Sequence, residues 1–499
     1  MKFRDFLKFR VSPFLQWTHE KASAAVDAAG IRPSGPSVPG FEPITYSTAD
    51  FASGPVSNSH SPQSEPLRTF EGSPAFAGLS PGDSLARSVM SCMLWEDEFY
   101  EDGESIAARI ERLAAQVDAE YLATLAIMAR DEFRLRHVPL WLLVQQARKG
   151  GRIVSETIEK TVRRADEPGE LIALYWKDGK KPLPKQMKLG LAAALRKFDA
   201  YQLAKYDRAG SVRLRDVLFL THAKPADEAQ AALWKLLADD ELPAPDTWEV
   251  ALSAGKDKKE TFTRLLQENR LGYLALLRNL RNMTASKVDP ALIERAIMAR
   301  RGAKDVLPFR YVAAARACPS QEPALDIALA ACLADPEMQS SRNFSHKRTI
   351  VLVDVSGSMD TRLSGKSDLK RMDAAATLAA IFPATKTIYS FSNEIAEIPP
   401  RSGMACIDAI LKSQAHGGTE LAKAVAFVNG IPHERLIVIT DEQSTDGRVP
   451  APVVDDAYMI NVASYRNGVG YGKWRHIDGF SESVIRWIMA YERAFSLPD

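Results

Sequence analysis

Residues 349–358, TIVLVDVSGS, decide how the C-terminal third of the chain folds. Thr349–Val353 is a short apolar, β-branched run, the mark of a buried strand, and Asp354 follows it at once. The pattern recurs in TIYSF (387–391), in LIVIT (436–440) followed by Asp441, and in YMINV (458–462). Helical stretches are predicted between them over 373–382, 407–412, 421–428 and 482–494. Strands alternating with helices predict a parallel α/β sheet. In such sheets ligands bind beyond the C-terminal strand ends, where both aspartates stand.

Asp354, Ser356 and Ser358 form a DxSxS turn. Thr419 lies in the loop GGTE before a helix, and Asp441 ends another strand. A hard divalent cation such as Mg²⁺ takes octahedral oxygen ligands and keeps several waters. Three hydroxyls and two carboxylates supply that donor set, and Gly357 is expected to permit the tight turn. An open coordination position would then accept a carboxylate or phosphate from a partner. In this order and context the five residues resemble the metal-ion-dependent adhesion site of the von Willebrand factor A fold. Two other readings stay open. The serines could merely cap the next helix, or Asp354 could be a phosphatase nucleophile, although no strong general-acid candidate stands out.

Outward from this module, residues 85–340 read as helical. Ile106, Ile110, Leu113 and Val117 are spaced as one helix face, as are Leu191, Leu195 and Phe198. Gly and Pro break the pattern at short intervals, which suggests a bundle or an α-solenoid. Residues 1–84 are expected to be an arm, partly disordered, because 30–84 is rich in Pro, Gly and Ser. Phe41, Tyr46, Phe51 and Phe70 could anchor it, and residues 2–9 could form a short docking helix. Three units follow: 1–84, 85–340 and 346–499.

Bulk composition excludes some classes. The 499 residues are 46% hydrophobic and 25% charged, with a net charge of +1, so the chain is no wholesale polycation. Four cysteines without a CxxC pair fit a reducing compartment. No apolar run approaches a membrane span, and the charged N-terminus is unlike a secretory signal. A cytoplasmic monomer is the expectation. Charge is nevertheless uneven: residues 177–224 carry 12 Lys/Arg against four acids. Residues 225–251 are net −6 and residues 252–287 net +5.

Within the helical region, KFDAYQLAKYDR (197–208), LRDVLFLTHAKP (214–225), LALLRNLRNM (274–283) and VLPFRYVAAAR (306–316) stand out. With the A-type module behind them, they resemble the TROVE family of Ro ribonucleoproteins over most of the chain. The resemblance implies a ring of HEAT-like helical repeats closed by a von Willebrand factor A domain. It implies small noncoding (Y-like) RNA outside the ring and single-stranded 3′ ends of misfolded RNA inside. Lys205 and His222 match RNA-contact positions. A further family arginine falls on Ala209, with Arg208 adjacent, and the family's GTYY-type segment is replaced by CMLWEDEFYEDG (92–103).

The residues carry a reading of their own. Phosphate contacts need Lys/Arg, so Arg208, Arg213 and Arg215 join Lys205. Tyr201, Tyr206 and Trp176 could stack on unpaired bases. Arg278 and Arg281, three apart, share a helix face and could grip phosphates or bind carboxylates of neighbouring repeats. The bland alternatives are a solvated basic face, Tyr201 in the core and His222 as a hydrogen-bonded structural residue. The expected function is non-catalytic RNA binding in RNA quality control, with an exoribonuclease among the conceivable partners. The alternative is a scaffold whose A domain captures an acidic protein ligand through Mg²⁺.

Overall fold

A computed structural model describes residues 81–89, 103–131, 133–207, 210–303, 306–334, 346–363, 369–463, 472–479 and 483–495. The arm's proposed anchors, the 2–9 helix and nearly all of CMLWEDEFYEDG lie outside these residues.

The described chain opens with helices that run from Pro81–Val89 to Glu322–Leu333. All but Trp248–Ser253 pack on a next-but-one neighbour. In one row Ala119–Asp131, Ile153–Thr161, Lys185–Leu195 and Leu214–Thr221 follow one another; in a second, Gly103–Ala115, His137–Lys149 and Glu167–Tyr175 do. Two rows of stacked helices are what short connections and one apolar stripe per helix produce. Ile106, Ile110, Leu191 and Leu195 are fully buried, as their spacing predicts, and Leu113 and Val117 sit half-buried at the stripe's edge. Phe198 is buried but Tyr201 is not, at 52% exposure. The spacing between them crosses a helix start: Asp199 caps Ala200–Tyr206 by accepting from the Gln202 amide at 2.7 Å. A cap resets the helical phase, so the expectation of a core tyrosine fails.

The C-terminal module is a six-stranded sheet in the order β3-β2-β1-β4-β5-β6. Its strands are β1 (Thr349–Asp354), β2 (Lys386–Phe391), β3 (Ile395–Glu397), β4 (Arg435–Thr440), β5 (Asp456–Asn461) and β6 (Arg475–Asp478). All pairings are parallel except β2 with β3. The short edge strands β3 and β6 have no apolar run, and the sequence reading missed both. Side chains alternate between two buried faces. Val351, Val353, Ile437 and Ile439 join the core that continues into the helical array, while Ile350, Leu352, Leu436 and Val438 face the helix Leu421–Asn429.

Both ends of the helical array meet this sheet module. Pro81–Val89 lies against β6, and Glu322–Leu333 packs on the helix Gly403–Leu411. At the second junction Asp326 Oδ1 accepts from the Met404 amide at 2.9 Å, capping a helix of the other module. Arg316 adds a bond to Asp408 at 2.6 Å and approaches Asp373 at 3.8 Å. Gly403 has φ +59°, and a Cβ there would stand 2.3 Å from Asp326 Oδ1. Gly403→Ala should therefore lower the unfolding free energy by about 2 kcal/mol in urea titration, from backbone strain and the collision together. Adding Asp326→Ala relieves the collision but not the strain, so the double variant should be less destabilised than the sum of the singles.

Candidate metal centre and nucleic-acid interface

β1 lies between β2 and β4, so successive crossovers leave it in opposite directions. The end of β1 is thus the switch point of the sheet, where parallel folds open a ligand crevice. Asp354 ends β1 and Asp441 follows β4, and both are fully buried. Asp354 Oδ2 accepts from Thr440 Oγ1 at 2.7 Å, and Oδ1 from the Ser356 amide at 2.9 Å. Ser356 and Ser358 hydroxyls lie 3.2 Å apart. The Gly357 amide donates to Gly417 O at 2.9 Å, and His416 Nδ1 bonds Val355 O at 2.8 Å. These bonds draw the loop carrying Thr419, also buried, onto the DxSxS turn.

Two local expectations change. Ser356 makes no side-chain cap to the turn Gly357–Asp360, so the capping alternative fails. Gly357 is not in the left-handed region, and a Cβ there would meet only ordinary contacts at 3.6 Å. The glycines the site needs are Gly417 and Gly418. A Cβ on either would come within 2.4 Å or 2.9 Å of the Asn393 amide group.

Burial, and then the charge of Asp441, push the Asp354 carboxyl above the ordinary range. A cation between the two would remove that repulsion. Among the described residues no three His, Cys, Asp or Glu side chains that could hold a metal ion gather at one point, so a cation here would have to draw on hydroxyls as well. Two repelling carboxylates with hydroxyl oxygens fit a hard ion such as Mg²⁺.

The proposed RNA residues divide. Arg208 lies outside the described residues. Arg213 is held by carboxylates, with Nη2 2.8 Å from Asp207 and 2.6 Å from Asp240, and these bonds raise its pKa. Arg215 reaches the same Asp240 only at 3.6 Å. His222 is exposed, which rules out a buried structural role. It ends the helix Leu214–Thr221 with φ 52°, its amide donating to Phe219 O at 3.4 Å while Ala223 donates to Leu218 O at 3.2 Å. This Schellman pattern ordinarily carries glycine. Trp176 is half-buried and donates from Nε1 to Lys181 O at 2.7 Å.

Lys205 Nζ stands over the rings of Tyr201 and Tyr206, at 5.7 and 5.6 Å. Arg164 stands over the same Tyr206 ring at 4.8 Å. Arg278 and Arg281, on Tyr273–Ala285, are exposed, and Arg281 Nε lies 3.5 Å from Ala317 O. The Arg278 pKa is nevertheless lowered, first by surrounding protein and then by the charges of Arg310 and Arg164. His137 behaves alike: it is exposed, yet burial and the charges of Arg136 and Arg164 hold it at about 4. Arg164 is paired with Asp166 at 2.8 Å, so Arg278 and the exposed Arg310 supply the surplus charge. Sequence reading missed Arg164 and Arg310, because no local pattern joins them to Arg278.

A family model described as the TROVE domain matches residues 239–305, which include Arg278 and Arg281. No curated protein matches the chain. No helix among the described residues is long and apolar enough to cross a membrane.

His222→Gly should stabilise the folded protein by roughly 0.5–1 kcal/mol in chemical denaturation, because glycine relieves the left-handed strain. An unchanged or lower midpoint would show that the imidazole itself supports the fold.

Proposed function

We propose that this protein binds RNA in the manner of Ro ribonucleoproteins, with a helical module of HEAT-like repeats and a von Willebrand factor A-like sheet module. The observation that carries this reading is that Arg164 and Lys205 stand over one ring, Tyr206, while the charges of Arg164 and Arg310 reach Arg278. Like charges held together cost stability, and a phosphate chain entering the space would offset that cost. The TROVE match over residues 239–305 supports the same reading. This cluster suits a single-stranded 3′ end, since a single strand offers phosphates to arginines and base faces to tyrosines. Structured, Y-like RNA would lie elsewhere on the outer surface of the helical module.

The protein's own part in this would be binding and sorting RNA, in quality control, with cleavage left to a partner such as an exoribonuclease. The sheet module would hold Mg²⁺ between Asp354, Ser356, Ser358, Thr419 and Asp441. A bound cation would supply a Lewis-acidic position for an incoming carboxylate. Asp354 and Asp441 would carry the charge, and the three hydroxyls would orient the site. The position of this set at the sheet's switch point also favours the scaffold reading, in which an acidic protein ligand docks there.

Arg278→Glu together with Lys205→Glu should weaken binding to a 3′-tailed RNA at least tenfold in gel-shift titration. The slope of log affinity against log salt should flatten by about one per lost phosphate contact. Wild-type affinity and slope in this variant would remove both residues from the interface. For the metal, Mg²⁺ should raise the melting temperature of the wild type but not of Asp441→Asn. In chelator Asp441→Asn should melt above the wild type, because the repulsion on Asp354 is gone. A variant that still responds to Mg²⁺ would place the cation elsewhere.

A further inference from the structure

Phe219 is the most exposed aromatic ring among the described residues, at 62%. The helix that bears it, Leu214–Thr221, buries Leu214, Val217, Leu218 and Thr221 on its other face. Phe219 therefore contributes little to the core, and its open face leaves apolar area in water. Its neighbours on the same side are charged: the acid Asp216, which accepts from the Arg213 amide at 2.8 Å, and a basic residue. Arg215, four residues before, shares its face. His222, three residues after, is fixed at the helix end by the Schellman bonds, in a left-handed conformation that glycine would adopt without strain. Beyond it Lys224 offers its carbonyl to Arg196 Nε at 3.1 Å, which brings a further guanidinium to this end of the helix. The nearby Asp240 is bonded by Arg213 at 2.6 Å and approached by Arg215 only at 3.6 Å, so the Arg215 guanidinium keeps donors for a further anion.

We propose that Phe219 is a stacking platform for an unpaired RNA base, with Arg215 and His222 meeting the phosphates on either side. A lone ring bracketed by cations lacks the contiguous apolar patch that a protein partner buries. It matches a nucleotide, which presents a flat face between negative charges. The proposal rests on the RNA-binding reading and adds to it a specificity: unpaired bases are held here and duplex is not.

The test uses the full chain, freed of nucleic acid by nuclease, with two probes of equal length: oligouridine and a blunt RNA duplex. Phe219→Ala should weaken oligouridine binding roughly five- to hundredfold, the range of one lost base–aromatic stack. It should leave duplex binding unchanged. The slope of log affinity against log salt should also stay at the wild-type value, because no phosphate contact is lost. Arg215→Gln should instead flatten that slope by about one. Phe219→Trp should keep wild-type affinity and show quenched indole fluorescence on binding oligouridine.

Wild-type oligouridine affinity in Phe219→Ala would overturn the proposal and leave the ring to a protein partner. A slope change in that variant, or an indole signal indifferent to oligouridine, would overturn it as well. In those cases the wild type still binds RNA and the broader reading stands. Failure of the wild type to bind either probe would overturn both.

Discussion

The hydrogen bond from the Met404 amide to Asp326 is the interaction on which the arrangement of the two modules depends. It makes a carboxylate of the last helix in the array the cap of a helix in the sheet module. Gly403 leaves room for this approach, where a Cβ would collide with Asp326, and Arg316 bonds Asp408 of the same helix. With the first helix of the array held against β6, the array is tied to the sheet at both ends. A double tie constrains the helices stacked between the two ends. That stack brings Arg164 close enough to Arg278 to act on its charge, although more than a hundred residues separate them in the chain.

The two candidate sites share a physical design. In the sheet, two buried carboxylates repel each other at the switch point. In the helical array, burial and the charges of Arg310 and Arg164 lower the pKa of Arg278. Neither arrangement serves the stability of the empty protein, and each is complementary to a ligand of opposite charge. The energy that such clusters withhold from the fold becomes available when the ligand arrives. The buried pair of Arg435 and Glu492 is resolved otherwise. Arg435 donates two bonds to Glu492, at 2.7 and 2.5 Å, and a third to Thr349, while Tyr458 donates to Glu492. That contrast separates the charges that build the fold from those left to bind.

How much of this could be read from sequence depended on how local the cause was. Asp354 and Asp441 were legible because each ends an apolar β-branched run, and such runs have few alternatives. The helix stripes were legible where one helix carried the whole period. Tyr201 was misjudged because its spacing from Phe198 crosses the Asp199 cap. Gly357 was credited with a constraint that belongs to Gly417 and Gly418, since the obstacle, Asn393, comes from a different loop. β6 escaped because RHID offers no periodic signal, and it is a strand only through its pairing with β5. Arg164 and Arg310 escaped because only the curved stack brings them to Arg278. Phe219 was in plain view within LRDVLFLTHAKP, but its exposure depends on which face of the helix the neighbouring helices cover.

The contact between Pro81–Val89 and β6 also has a temporal meaning. These elements lie at opposite ends of the described chain, and β6 is the last strand to be synthesised. During translation the first helix waits, with Leu85 and Val89 lacking their final surroundings, until almost the whole protein has emerged. Closure of so long a loop is slow relative to helix stacking, which needs only near neighbours. The helical array therefore passes through a period as an open-sided curve before its two ends are joined. Under the RNA-binding reading proposed above, newly made protein with unjoined ends would take up a strand by a different route from mature protein.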